Sequence, residues 1–351
     1  MTLKTLSIGS VMIDTIAIIE PSRIERMSMS NADTAFLLLE EGRKVEASGI
    51  STHVGGGAAN TAVCFARLGC DAHILARVGQ DVRAQQALDA LNGEGVKTGL
   101  IQRDPALPTG ASVMFASHDR NASTFTSRGA NTALSGVDTL PPVDLMHIAP
   151  LSNDAAALFP TLVAQAKATG ARISANLGIR HLASRAQEVL AALADIDVFS
   201  LNMSEAAALM PALAPKGFGA RASRGRATPN LAASGFDMPL SRFLELLSEH
   251  SDATLLVTDG AKGSYIYAAG NLVFAPAQVA AVAGTAGAGD AFCSTFAAAL
   301  AAGESLTEAT HWAALNAASV VAHIDTQTGL LTRAALAQEG RDQDDFALQQ
   351  I

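Results

Sequence analysis

The chain has 351 residues, and a prior of ~150 residues per domain points to about two ordinary domains or one large one. Hydrophobic residues make up 49% and charged residues only 16%, which excludes a disordered chain and supplies a large core. Twenty-four Lys and Arg against 33 Asp and Glu give a net charge of −9, which argues against a nucleic-acid partner.

The apolar run at 6–19 is interrupted by Asp14 and lacks a small-residue cleavage site, so no secretory signal is expected. Short apolar runs at 6–8, 72–78, 145–149, 171–175, 198–201 and 254–258 predict strands. Helical patterns at 60–68, 83–91, 154–169, 185–194 and 241–250 separate them. This alternation predicts an α/β fold, a mostly parallel sheet with helices on both faces. From residue 289 onward the chain turns helical, at 290–302 and 306–323. Residues 21–52 break the rhythm with alternating and charged stretches and predict a small antiparallel excursion. Residues 211–236 are rich in Pro, Gly, Ala and Arg and show no period. A stretch of that length without periodicity is functional or mobile. Neither segment reads as a linker, so residues 1–351 are taken as one domain.

Cys64, Cys70 and Cys293 form no CxxC pair and predict reduced thiols in a cytoplasmic protein. The Ala-rich stretch 291–302 is too short to span ~30 Å of hydrocarbon, so no membrane partner is expected. One Trp and two Tyr leave little for stacking single-stranded nucleic acid. The eight histidines show no zinc-binding spacing, and no GxSxG elbow supports acyl transfer.

Two glycine clusters carry the chemistry. The stretch from Gly284 to Phe292, Gly-Thr-Ala-Gly-Ala-Gly-Asp-Ala-Phe, opens a helix. Small residues permit close approach of a ligand, and the unpaired N–H groups of a helix start attract an anion. Asp290 and Ala291 stand where a nucleotide P-loop needs Lys and Ser or Thr, so that motif is excluded. A carboxylate beside an anion site suits a base that takes a proton from an attacking hydroxyl; a plain helix cap is the other reading. Gly55-Gly56-Gly57-Ala58-Ala59-Asn60 forms the second cluster and leads into another helix. A dinucleotide fingerprint fails there, because Asn60 takes the third glycine position. Either the helix start needs glycine torsions, or Asn60 and the glycine amides bind substrate hydroxyls.

In this order and at this separation the two clusters resemble the ribokinase/PfkB family of carbohydrate kinases. Gly55 to Asn60 and then Arg67-Leu68-Gly69 resemble one family signature, and Thr285 to Phe292 resemble the other. Gly9-Ser10 with Asp14, Val78-Gly79-Gln80-Asp81, Gly95-Val96, Gly129-Ala130-Asn131, Asn202-Met203-Ser204-Glu205 and Thr258 to Gly263 are further matches. The resemblance implies a ribokinase-like fold in which 21–52 contributes a small β lid. It also implies ATP-dependent transfer of a phosphoryl group to a hydroxyl of a sugar or sugar acid. Asp290 would be the base, and the amides of Gly287, Ala288 and Gly289 the anion hole. Asp14, Gly56, Gly57 and Asn60 would hold the acceptor. Asn202, Thr258, Gly260, Gly263 and Asn316 would bind the nucleotide, and Glu205 with Asn202 would hold Mg²⁺ through water. The lid would also supply a homodimer contact.

Two departures stand out. Gly284 replaces the family's Asp, which belongs to the monovalent-cation cage of potassium-responsive relatives, so little K⁺ dependence is expected. Gly57 stands where many sugar kinases of the family carry Lys, which argues against a phosphorylated acceptor. Lys216, Arg221, Arg224 and Arg226 make the 211–236 segment locally +4, and its place between two nucleotide motifs predicts a mobile flap there. Two rivals remain. A nucleoside kinase would stack its acceptor base on aromatics, of which the substrate side holds only Phe36, Phe115 and Phe125. A non-catalytic sugar-binding relative would gain nothing from Asp290.

Overall fold

Strands here are short apolar runs stopped by Gly, Pro or Asn, and helices cross back between them. In a computed structural model, residues 2–19, 25–28, 35–38, 42, 44–117, 122–213, 228–233, 236–342 and 346–351 are described. They build a nine-stranded sheet. Its parallel part runs Asp71–Leu75, Lys4–Ile8, Leu145–Ile148, Arg172–Asn176, Val198–Asn202 and Thr254–Thr258. Gly263–Ala268, Asn271–Pro276 and Gln349–Gln350 extend it antiparallel. The strands are apolar on both faces because helices cover both. Leu6, Met146, Phe199 and Val257 point into one core with Phe159, Leu209 and Phe243. Leu145, Val198, Leu256 and Ile266 point into the other, with Phe65, Phe296 and Trp312. Phe65, Phe159, Phe199, Phe243 and Phe296 are fully buried, each worth ~1.5–3 kcal/mol relative to exposure.

The apolar run at 6–19 is two strands, Lys4–Ile8 in the large sheet and Met12–Ile19 in a second one. That second sheet is four-stranded, in the order Ala122–Ser127, Gly110–Ser117, Met12–Ile19, Gly49–Gly55. It is the lid, and its origin differs from the expectation. Of the described residues within 21–52, the start of Gly49–Gly55 is the part that enters it. Glu25–Ser28 and Ala35–Leu38 pair in a hairpin of their own, and Phe36 lies in that hairpin. The lid's other strands come from 12–19 and 110–127, where alternating polar and apolar residues suit a sheet with two different faces.

The lid is anchored at its base by two motifs. Asn131, from the Gly129-Ala130-Asn131 turn, accepts from Val11 N–H and donates to Val11 C=O, both at 2.9 Å. Asp81 caps the helix Val82–Gly93 through Ala84 N–H and also accepts from the Thr109 amide at 2.9 Å.

Part of the 211–236 segment is regular. Residues 211–213 finish the helix Met203–Leu213, and Asn230–Ala233 pairs with Phe236–Pro239 in an antiparallel hairpin. The expected flap, with Lys216, Arg221, Arg224 and Arg226, lies outside the described residues. No helix among the described residues is long and apolar enough to cross a membrane, and Cys64, Cys70 and Cys293 are free thiols.

Candidate active site

The chemistry-bearing residues gather at the carboxyl ends of the parallel strands, where an open sheet leaves its crevice. Gly287 caps the helix Ala288–Ala301 at φ 80, a left-handed backbone that glycine adopts without a Cβ penalty. A Cβ there would stand 2.7 Å from Thr326 Cβ, so the close fit also demands glycine. The first intrahelical bond is Ala291 N–H to Gly287 C=O at 2.9 Å. The amides of Gly287, Ala288 and Gly289 precede it, which leaves donors at the positive end of the helix.

Asp290 lies in the first turn of that helix. Its Oδ2 accepts a 2.7 Å hydrogen bond from Asn60 Nδ2. Burial pushes its carboxyl up to about 6, against the opposing pull of the Asn60 bond. Such a carboxyl is ionised at neutral pH yet basic enough to take a proton.

The second glycine cluster brings the other end of that bond. Gly56 caps the helix Gly57–Arg67 at φ 98, and Gly57 N–H donates to Ser10 Oγ at 3.1 Å. A Cβ on Gly57 would sit 2.9 Å from Ala149 Cβ and 3.7 Å from Asp290 Oδ1. Asn60 is buried, and both halves of its amide are engaged. Nδ2 serves Asp290, while Oδ1 accepts from Thr326 Oγ1 at 2.8 Å and Gln327 Nε2 at 3.1 Å. The sequence assigns Asn60 to substrate hydroxyls; the structure shows its hydrogen bonds going to Asp290 and to the 325–329 turn.

The lid supplies Asp14. Register puts Asp14 beside His53 on one neighbouring strand and Ser112 on the other. Ser112 Oγ donates to Asp14 Oδ1, and burial raises the Asp14 carboxyl, with the Ser112 bond and His53 acting against it. A Cβ on Gly55 would overlap the Asp14 carboxylate and approach Thr326 Oγ1 to 3.7 Å. Thr326 thus touches the Asp14 side and the Asp290 side of the site.

On the far side, a cavity of about 370 Å³ is lined by Ile179, Asn202, Met203, Ser204, Glu205, Thr258, Asp259 and Gly260. Asn202 and Glu205 brace each other: Asn202 N–H donates to the Glu205 carboxylate, and Glu205 N–H donates to Asn202 Oδ1, both at 2.9 Å. Burial lifts the Glu205 carboxyl to about 7. Repulsion from Asp290 adds to this, and hydrogen bonds from Asn202 and Asn176 oppose it. Gly260, at φ 55, turns the chain after Thr258. Gly263 lies outside that cavity's lining; its φ of 134 and its fit against the Ala275 carbonyl give it a backbone task.

Asn316 is a correction. The family resemblance implies a place near the base of the nucleotide, but Asn316 is fully buried between helices. Its Nδ2 donates to Thr295 Oγ1 at 2.7 Å, and its Oδ1 accepts from Leu331 N–H at 2.8 Å. A side chain with both ends satisfied in the core has no reach to a ligand.

Thr326, Gln327, Ser112 and Asn176 escape a motif reading. The only trace of the first two is a polar, glycine-ended turn, Asp325-Thr326-Gln327-Thr328-Gly329, between apolar stretches.

The pfkB family carbohydrate kinase description matches residues 4–333. The chain belongs to that family. It is 28% identical over 123 residues to the deoxyribokinase of Salmonella typhi, covering 35% of this chain and 39% of that one. It is 27% identical over 308 residues to the bifunctional protein HldE of Pseudomonas putida, covering 84% of this chain and 59% of that protein. The chain therefore spans well under two thirds of these relatives' length. A nucleoside kinase of Methanocaldococcus jannaschii superposes with a TM-score of 0.74 at 21% identity, covering 97% of this chain and 99% of that one. Arabidopsis thaliana ribokinase complexed with ribose and ATP gives 0.72, also at 21% identity, over 96% and 98%. These likenesses establish the ribokinase-like fold.

Proposed function

We propose that this chain is a single-domain, cytoplasmic kinase that transfers the γ-phosphoryl group of ATP to a hydroxyl of a sugar or sugar acid. The observation that carries the reading is Asp290: a carboxyl raised to about 6, on the first turn of a helix whose glycine-rich start offers unpaired amides. Asp290 takes the proton from the acceptor hydroxyl as its oxygen attacks. The amides of Gly287, Ala288 and Gly289 stabilise charge on the transferring group in place, without reorganisation. Asp14, with Gly56 and Gly57, holds the acceptor under the lid, where a carboxylate accepts from two neighbouring hydroxyls. Asn202, Thr258 and Gly260 face the nucleotide phosphates.

The residues present fit Mg²⁺. Glu205 is buried, and Asp290 nearby raises its carboxyl further, so a cation would relieve both charges. No group of three or more His, Cys, Asp or Glu forms a metal cage among the described residues. Mg²⁺ suits such a site, since it keeps waters and takes phosphate oxygens. Glu205 and Asn202 would hold it through water, and when bound it would neutralise phosphate charge.

A homodimer through the lid is part of the proposal. Phe125 faces Val113 across the pairing, and Val113 faces Thr15. Ile50, opposite Ala17, lies on that same outer face. Phe125 is 63% exposed and Ile50 70%, an apolar surface on the side away from Asp14.

The test is acceptor-dependent ADP formation across a panel of sugars, sugar acids and nucleosides. Turnover with a sugar or sugar acid, abolished by Asp290→Asn, is the expected result. Turnover with nucleosides alone would move the assignment to a nucleoside kinase. Binding of sugars with no ADP from any acceptor would make the chain a non-catalytic relative.

A further inference from the structure

The bond between Asn60 and Asp290 has a second layer behind it. An ionised carboxylate only accepts hydrogen bonds, so Asn60 serves it only with Nδ2 forward and Oδ1 behind. Two donors converge on that Oδ1: Thr326 Oγ1 at 2.8 Å and Gln327 Nε2 at 3.1 Å. Both come from one turn, and that turn is itself braced. Asp325 Oδ1 accepts from the amides of Gln327 and Thr328 at 2.9 and 2.8 Å. Arg67 Nη1 donates to the carbonyls of Gln327 and Leu330, both at 2.8 Å, while Glu94 holds the same guanidinium through Nε and Nη2. Arg67 is the last residue of the helix whose first turn carries Asn60. The turn also fits against Gly55 and Gly287, where a side chain would meet Thr326.

We propose that Thr326 and Gln327 are positioning residues for phosphoryl transfer, locking the Asn60 amide so that its Nδ2 faces Asp290 and holds that carboxyl as an ionised, correctly aimed base. This rests on the reading of Asp290 as the base. Two donors on one amide oxygen fix its orientation and polarise its N–H groups toward the carboxylate. Without them the amide is free to turn its oxygen toward Asp290, which favours the protonated acid. The other titratable groups that act on Asp290 are Glu205, from the Met203–Leu213 helix, and Cys293, one turn along its own helix. Ionised Glu205 opposes the charge on Asp290, and the raised, neutral Cys293 thiol adds none, so the Asn60 bond is the favourable contact to remove.

The experiment compares wild type with Thr326→Val, Gln327→Met and Thr326→Ser, in the full chain. Asp290 is read directly by ¹³C NMR of aspartate carboxyls, its signal assigned by its loss in Asp290→Asn. The Val and Met variants are expected to titrate Asp290 at least half a pH unit higher than wild type, and Ser to restore it. Both positions are part-exposed, both substitutions keep the side chain's size, and each variant checks the other's fold. In turnover, the acid limb of kcat/KM shifts upward by the same amount, with the high-pH plateau within about threefold of wild type. An Asp290 titration unchanged in both variants overturns the relay, whatever the enzyme phosphorylates. A shifted titration with no Asp290-dependent turnover upholds the relay and overturns the base assignment instead.

Discussion

Asn60 Nδ2 donates a 2.7 Å hydrogen bond to Asp290 Oδ2, joining the first turns of two helices 230 residues apart in sequence. That bond unites the two glycine clusters in one site, and it fixes what removing Asp290 should do. Asp290→Asn keeps the shape and loses the base, so kcat should fall at least ~10²-fold while nucleotide affinity stays near wild type. Steady-state kinetics with a titration of ATP binding check this; near-normal turnover in the purified variant refutes the role.

The same substitution should make the protein more stable at pH 8. The Asp290 carboxyl is pushed up to about 6, above its ordinary value of 3.8. Between those values the folded state holds a proton that the unfolded chain has released, so this site's contribution to stability falls as pH rises. The penalty is complete above pH 6 and vanishes below 3.8. Two units set an upper bound of ~3 kcal/mol, and part exposure with a weakened Asn60 bond reduces the gain to ~1 kcal/mol. Melting curves of wild type and Asp290→Asn should diverge at pH 8 and converge toward pH 4. A destabilised variant at pH 8 contradicts the argument.

Glu205→Gln tests the metal side. The amide still accepts from the Asn202 N–H but carries no charge to oppose a hydrated cation. The Mg²⁺ concentration for half-maximal rate should rise about tenfold, since a charge acting through a bridging water contributes on the order of 1.4 kcal/mol. The acceptor KM should not change. A Mg²⁺ requirement equal to wild type would remove Glu205 from the site.

The glycine clusters and the alternation of strands and helices are legible in the sequence because each is local: spacing and composition reveal them, whereas the Asn202–Glu205 pair is picked out only by the family resemblance. The lid is only half legible. Asp14 breaks an apolar run, and that charge reads as an interruption until the strand is seen with an inner face carrying Asp14, Ser112 and His53. Asn316 misleads for the opposite reason. The family resemblance puts it beside the nucleotide, yet its partners, Thr295 and the Leu331 amide, are set by helix packing that no motif match shows. Thr326 and Gln327 are invisible because their task depends on a contact between segments far apart in the chain.

That core role gives Asn316 its own prediction. Asn316→Ala leaves the part-buried Leu331 amide without its acceptor and leaves the fully buried Thr295 Oγ1 with only the Cys64 thiol at 3.4 Å, at a cost of ~1–3 kcal/mol. Urea unfolding should show the loss at unchanged m, and the KM for ATP should hold. A raised KM for ATP in a variant of wild-type stability would return Asn316 to the nucleotide site.

The last prediction concerns Gly284. Its amide bonds to the Val321 carbonyl at 3.2 Å, which lays it beside the chain that follows the Leu306–Val321 helix. A Cβ at Gly284 would stand 3.1 Å from the His323 carbonyl oxygen and 3.3 Å from that of Ile324. Two carbonyl oxygens therefore face the place where potassium-responsive relatives carry an aspartate, and glycine adds no charge to them. A carboxylate within ~4 Å of a monovalent cation contributes ~1 kcal/mol even at the dielectric of water, and more where water is excluded. Without it, carbonyl dipoles alone must replace the hydration shell of the ion. Activity should need Mg²⁺ and change less than twofold between Na⁺, K⁺ and tetramethylammonium buffers at fixed ionic strength. Gly284→Asp should confer a K⁺ response, because the backbone there has no positive φ and the neighbouring carbonyls need give only a few tenths of an ångström. A several-fold activation of the wild-type enzyme by K⁺ alone would show that the two carbonyls suffice and that the aspartate is dispensable.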